Sequence, residues 1–174
     1  MEYLLVDGYN IINAWTDTFN LQTESLEDCR NKLLNIMSNY QGFKKIRVIV
    51  VFDAHLVKGS KEKHETFDNI TVVFTKENET ADNYIERFVH NMGSLHTIRV
   101  ATSDYLEQTI VLSNGGIRMS PRELKEEVER AAKNARLDMS SRPINANDIM
   151  SRIDSELREK LEKFRRGKGD RGEA

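Results

Sequence analysis

A chain of 174 residues is long enough for one α/β domain with its own core and too short for two comfortable ones. With 39% hydrophobic and 31% charged residues it reads as a soluble globular protein, its net charge of −2 excludes a general polyanion binder, which would be basic overall, and no apolar stretch reaches membrane-spanning length. The one cysteine, Cys29, excludes an internal disulfide and any multi-cysteine zinc site.

The N-terminal apolar run has no basic region ahead of it and ends at Asp7, so it reads as a first strand over 2–7 rather than a signal peptide, and the protein is expected in the cytoplasm. Apolar positions 26, 29, 33, 36, 37 and 40 predict an amphipathic helix over 25–41, with Cys29 as a core filler beside Leu26, Leu33, Met37 and Tyr40. The β-branched run over 46–52 predicts a fully buried second strand, and a polar connection, 54–68, follows it. A third strand covers 70–75. The stripe Ala81, Tyr84, Ile85, Phe88, Val89 and Met92 marks a helix over 79–92.

A fourth strand is expected over 97–102 and a helix over 103–113, stopped by Asn114-Gly115-Gly116. Ile117-Arg118-Met119 reads as a short edge strand. Ser120 at the N-cap, Pro121 at the first helical position and Glu123 form a capping box that opens a helix to about 137. After Pro143, a last helix from about 147 carries Ile149, Ile153, Leu157, Leu161 and Phe164 on one face. Alternating strands and helices favour a mostly parallel sheet covered on both faces.

Four aspartates punctuate this order: Asp7, Asp53 and Asp104 at or just after strand ends, and Asp82 at a helix start beside the apolar stripe, with Glu79 and Glu86 extending an acidic flank. In an open parallel sheet, ligands bind beyond the carboxyl ends of the strands. Crowded carboxylates are tolerated at neutral pH only if protonated or joined by a cation, and oxygen-only ligands select Mg²⁺ or Mn²⁺. Such an ion lowers the pKa of a bound water, orients a phosphodiester and neutralises charge on the leaving oxygen. Any one aspartate alone reads sooner as a cap or turn residue, but the four together, three of them at strand ends, fit metal-assisted phosphodiester hydrolysis.

Asn10 offers an amide that holds a carboxylate or a substrate phosphate, or belongs to an Asx turn capping a short helix. Thr102-Ser103 either bonds a phosphate, or Ser103 simply caps the next helix. Cations that would meet RNA are Lys58, Lys61 and Lys63, with His55 and His64, and the tail 163–168; a solvated loop and a frayed end are the alternatives. A phospho-acceptor receiver domain needs fewer acids, and a dinucleotide site needs more glycines than Asp7-Gly8-Tyr9-Asn10 has.

Asp7-Gly8-Tyr9-Asn10, Ala81-Asp82 with Ile85, and Thr102-Ser103-Asp104-Tyr105 resemble the three motifs of the NYN-domain ribonucleases, relatives of the PIN-domain nucleases. Val51-Phe52-Asp53-Ala54-His55 and the string from Thr75 to Asp82 narrow the resemblance to the YacP-like branch, closest to its bacterial ribosome-associated mRNA endonuclease. The resemblance covers about residues 1–140. It implies a PIN-like three-layer α/β/α sandwich over 1–140; the apolar stripe after Pro143 and the glycines Gly167 and Gly169 add a C-terminal helix over 141–166 and a disordered tail, 167–174. It also implies metal ligation by Asp7, Asp82 and Asp104, with Asn10 beside the first. Asp53 matches only the YacP-like branch. Many PIN-like sites carry a further acid one turn into the last helix; here that turn offers Glu107 and Gln108, and only Glu107 is an anion. The implied activity is endonucleolytic cleavage of mRNA on the translating ribosome; no membrane is expected, and a monomer is favoured although the last helix is equally compatible with packing on the domain, a dimer or a ribosome contact. A non-catalytic RNA- or ribosome-binding module with a degenerate site is the competing expectation.

Overall fold

The computed structural model describes residues 1–54, 59 and 61–141, apart from the side chains of 106, 107 and 138–141. The chain divides into two compact units, Met1–Ala135 and Arg136–Ala174. The described part of the second is only the end of a helix, so the expected last helix and tail lie outside the described residues.

In chain order the elements are β1 (Glu2–Asp7), α1 (Gly8–Ala14), α2 (Leu26–Phe43), β2 (Arg47–Phe52), β3 (Lys63–Phe67), β4 (Ile70–Phe74), α3 (Ala81–Met92), β5 (Thr97–Ala101), α4 (Tyr105–Ser113), β6 (Ile117–Met119) and α5 (Pro121–Ser141). One six-stranded sheet runs β3-β4-β2-β1-β5-β6, parallel throughout except for the antiparallel β3–β4 pair. The chain builds outward from β1 to β2, then crosses to β5 on the other side. Strand order therefore reverses between β1 and β5, where an open α/β sheet has its ligand crevice.

Side chains alternate across each strand, so the central strands feed two cores. Leu4, Val6, Val48, Val50 and Phe52 pack with Ile11, Trp15, Leu33, Met37 and Leu124, which places α1, α2 and α5 on one face. Leu5, Ile49 and Val51 pack with Ile85, Val89 and Val111, which places α3 and α4 on the other. The result is the expected three-layer α/β/α arrangement. Trp15 joins α1 to α5 by donating from Nε1 to the Pro121 carbonyl at 2.9 Å. The capping box forms as expected: the Ser120 amide donates to Glu123 Oε2 at 2.7 Å and the Glu123 amide to Ser120 Oγ at 3.2 Å.

The polar connection expected over 54–68 in fact contains β3. Lys63 to Thr66 are exposed on this edge strand, so no apolar alternation announced it; its pairing comes from the β4 backbone. The hairpin turns at Asp68, in the left-handed region with φ 53°, and its tip is tied to α2: Ser38 Oγ donates to the Asp68 carboxylate and Asn69 Nδ2 to the Ser38 carbonyl at 3.2 Å. Leu26, expected in the buried stripe of α2, is 48% exposed because it lies in the first turn. Cys29 is buried as expected.

Candidate active site at the carboxyl edge of the sheet

Asp7 is at once the last residue of β1 and the N-cap of α1. Its Oδ1 accepts the Asn10 amide at 3.0 Å and its Oδ2 accepts Asn10 Nδ2 at 2.6 Å. The two readings of Asn10 are thus one arrangement: a capped short helix whose amide side chain also grips a carboxylate. Passage from β1 into α1 needs Gly8 for want of space. A Cβ there would stand 2.3 Å from Phe52 Cε1.

Asp7 is 4% exposed. Burial pushes its carboxyl above the ordinary value of 3.8, the Asn10 donors pull it back, and the charge of Asp53 pushes it up further. Asp53, half-buried beyond β2, is therefore felt at Asp7. Neighbouring Ala54 is held by its amide donating to Thr75 Oγ1 at 2.9 Å, which ties the end of β2 to the end of β4.

Asn10 reaches across the strand-order reversal to the β5 side, where its Oδ1 accepts from Ser103 Oγ. Buried Thr102 then places Asp104: Thr102 Oγ1 accepts the Asp104 amide at 3.1 Å. Asp104 is exposed and shares a pocket with Asp82, Glu86, Thr80 and Asn83 from the start of α3, lined also by Ile110 and Val111. Thr80 caps α3, which starts at Ala81 rather than at 79, its Oγ1 accepting the Asn83 amide at 3.2 Å. Glu86 stays on the Asp82 flank as expected. Glu79 does not: it turns inward, 7% exposed, and pairs with Arg87.

The structure thus brings together Asp7, Asn10, Ser103 and the influence of Asp53, and separately Asp82 with Asp104. Among the described residues, no three His, Cys, Asp or Glu side chains are gathered into a ready metal-binding group. The donor chemistry is nonetheless that of a hard cation: carboxylate, hydroxyl and amide oxygens without His or Cys, with one carboxylate, Asp7, buried at a cost in its charged form. Gln108 is spent on the fold, its Nε2 donating to the Thr102 carbonyl at 2.8 Å. The Glu107 side chain and Lys58 lie outside the described residues. Lys61 is exposed, and Lys63, on β3, pairs with Glu65. Arg87 had no signal of its own in the sequence, since a charged residue on a helix flank is commonplace; Thr102, singled out as a phosphate ligand or part of a cap, instead holds the Asp104 backbone.

A model of the YacP-like NYN domain matches residues 4–166. The protein YacP of Bacillus subtilis strain 168, described as uncharacterized, is 45% identical over 170 residues, covering 96% of this chain and 98% of that protein. The crystal structure of Rae1 (YacP) from Bacillus subtilis aligns over 100% of both chains at 42% identity with a TM-score of 0.68. A crystal structure of a mutant of that same protein aligns over 94% of this chain and 99% of the other, at 37% identity and a TM-score of 0.69. By these matches the chain belongs to the YacP-like NYN-domain family.

Proposed function

We propose that this protein is a divalent-metal-dependent endoribonuclease that cleaves mRNA on the translating ribosome. The observation that carries the reading is the delivery of Asp7, Asp53 and Asp104 to one edge of the sheet at its strand-order reversal, with Asp82 facing Asp104 across a pocket, in a chain of an NYN-domain family. Asp7, Asp82 and Asp104 would hold Mg²⁺ or Mn²⁺. When bound, the ion supplies an acidified water and neutralises charge on the phosphodiester. The chain's own residues do the positioning: Asn10 keeps the Asp7 carboxylate oriented, Ser103 links it to the β5 side, and Thr102 sets the backbone of Asp104. Lys58, Lys61 and Lys63 would meet the RNA backbone. With a net charge of −2, the chain has little general attraction for RNA, so docking on the ribosome would supply the local concentration.

The protein and its Asp7→Asn variant, incubated with translating ribosomes and Mg²⁺ or Mn²⁺, should differ in the RNA 5′ ends they create: new ends at a fixed distance from the ribosome with the parent, none with the variant. Equal cleavage by both would remove Asp7 from the site. One observation favours a second reading, a non-catalytic ribosome- or RNA-binding module: Gln108 stands where many PIN-like sites carry an acid and is tied to the backbone. That reading requires association that survives loss of all four aspartates, with no cleavage in any metal.

A further inference from the structure

We propose that Arg87 is a positioning residue for this site, clamping the start of α3 so that Asp82 keeps its place opposite Asp104. The role rests on the nuclease reading above; the clamp itself is a matter of geometry. Arg87 Nε and Nη2 donate to Glu79 Oε1 at 3.2 and 2.9 Å, and Nη2 also donates to Glu62 Oε2 at 2.6 Å. The guanidinium lies 5.0 Å over the Tyr84 ring. Glu79 sits in the turn before α3, three residues ahead of Asp82. Glu62 lies at the far end of the connection that leaves β2 through Asp53, and its Oε1 is bonded to His64 Nε2 at 2.7 Å. The same connection touches the same turn once more, the Gly59 amide donating to Glu77 Oε2 at 2.7 Å. One guanidinium therefore joins three pieces of chain: the stretch after Asp53, the turn before Asp82 and α3 itself.

A helix start is its least constrained part, because the first amides lack intrahelical partners. Thr80 caps one of them. The Arg87 fork adds a second constraint, fixed in angle by two carboxylates, which a lysine would not reproduce. Glu79 gives the clamp its stake: it is 7% exposed, and its Oε2 finds no hydrogen-bond partner among the described residues, so Arg87 is the cation that answers its charge. Misplacing a reacting group by about 1 Å costs roughly a hundredfold in rate. A loosened α3 start would do this to Asp82.

The test separates positioning from plain stabilisation. Arg87→Met alone strands a buried charge and is expected to melt early, so the decisive protein is Glu79→Gln with Arg87→Met, which removes the pair that Arg87 makes with buried Glu79 and leaves the partly exposed Glu62 its bond to His64. Its melting temperature should recover to near that of the parent, while kcat for RNA cleavage stays down about a hundredfold with KM within about twofold. Hydrogen exchange at the Tyr84 amide, which bonds the Thr80 carbonyl at 3.1 Å, should be at least about tenfold faster than in the parent. Arg87→Lys should fall between the two. Recovery of kcat together with melting temperature would overturn the proposal. If the parent cuts no RNA in any metal, the nuclease reading fails and exchange alone decides: unchanged protection of Tyr84 in the double variant overturns the clamp.

Discussion

Asp7 carries two loads that conflict. It caps α1 as a hydrogen-bond acceptor, and it is a buried carboxylate within reach of another negative charge. Its carboxyl is raised above 3.8, chiefly by burial. A carboxyl with a raised folded pKa binds its proton more tightly in the folded state, so its ionisation costs stability as pH rises through that value. In the absence of divalent ions, Asp7→Asn should therefore melt higher than the parent at pH 7. The gap should shrink as pH falls and vanish below 3.8. Turning the Asn10 amide lets it accept from the new side chain while donating to Ser103, so the cap survives. Thermal melts across pH would check this, and a variant melting below the parent at pH 7 would contradict it. Gly8 is limited by space: Gly8→Ala pushes a methyl into the Phe52 ring and should cost about 1–3 kcal/mol in urea unfolding. A lower urea midpoint without change in slope is the expected signature.

Among elements, the tie between α5 and the sheet is ionic as well as apolar. Arg99 on β5 donates from Nη2 to Glu127 Oε1 at 2.6 Å, and Tyr40 on α2 donates to Glu127 Oε2 at 2.7 Å. Burial alone would push the Glu127 carboxyl up, but the Arg99 guanidinium and the Tyr40 hydroxyl together hold it below 4.5. The same contact, after burial, pushes the Tyr40 hydroxyl up to about 12. A depressed carboxyl stabilises above its unfolded value and loses that contribution as pH falls through the folded one. Glu127→Gln should accordingly cost about 1–2 kcal/mol at pH 7, and the difference from the parent should fade on acidification below 4.5. An undiminished difference at pH 3 would show that packing, not charge, links these elements. The hairpin of β3 and β4 belongs to this scale too. Its turn at Asp68 and its anchoring by Ser38 are contacts made 30 residues apart in sequence, so the polar string 63–67 carried no periodic trace of being a strand.

At the scale of the whole molecule, the proposed ion would couple binding to stability. A ligand that binds only the folded state at about a hundred times its Kd adds about 2.7 kcal/mol. For a chain of this size that is a rise of roughly 5–10 °C in melting temperature. Mn²⁺ should produce such a rise in the parent and not in Asp104→Asn, and an equal rise in both would place any bound ion elsewhere. No helix among the described residues is long and apolar enough to cross a membrane. Strand and helix identities were legible where burial imposes a period: β1, β2, β4 and β5 as apolar runs, α3 as a stripe, α5 from its capping box. The aspartates were legible as strand-end and helix-start residues, and with their neighbouring motifs they pointed to the family that the comparisons show. Periodicity reports which face of an element is buried, and so the sequence by itself determined the elements with a buried face, but not the exposed β3, and the acidic residues set at their ends. It says nothing of which side chains meet across elements. Only the tertiary structure decided that Asp82 faces Asp104 while Asp7 is gripped by Asn10, that Glu79 turns inward to Arg87, and that Gly8 is required by Phe52. Each of these is a matter of how the layers and turns pack in space, which no local pattern of residues specifies.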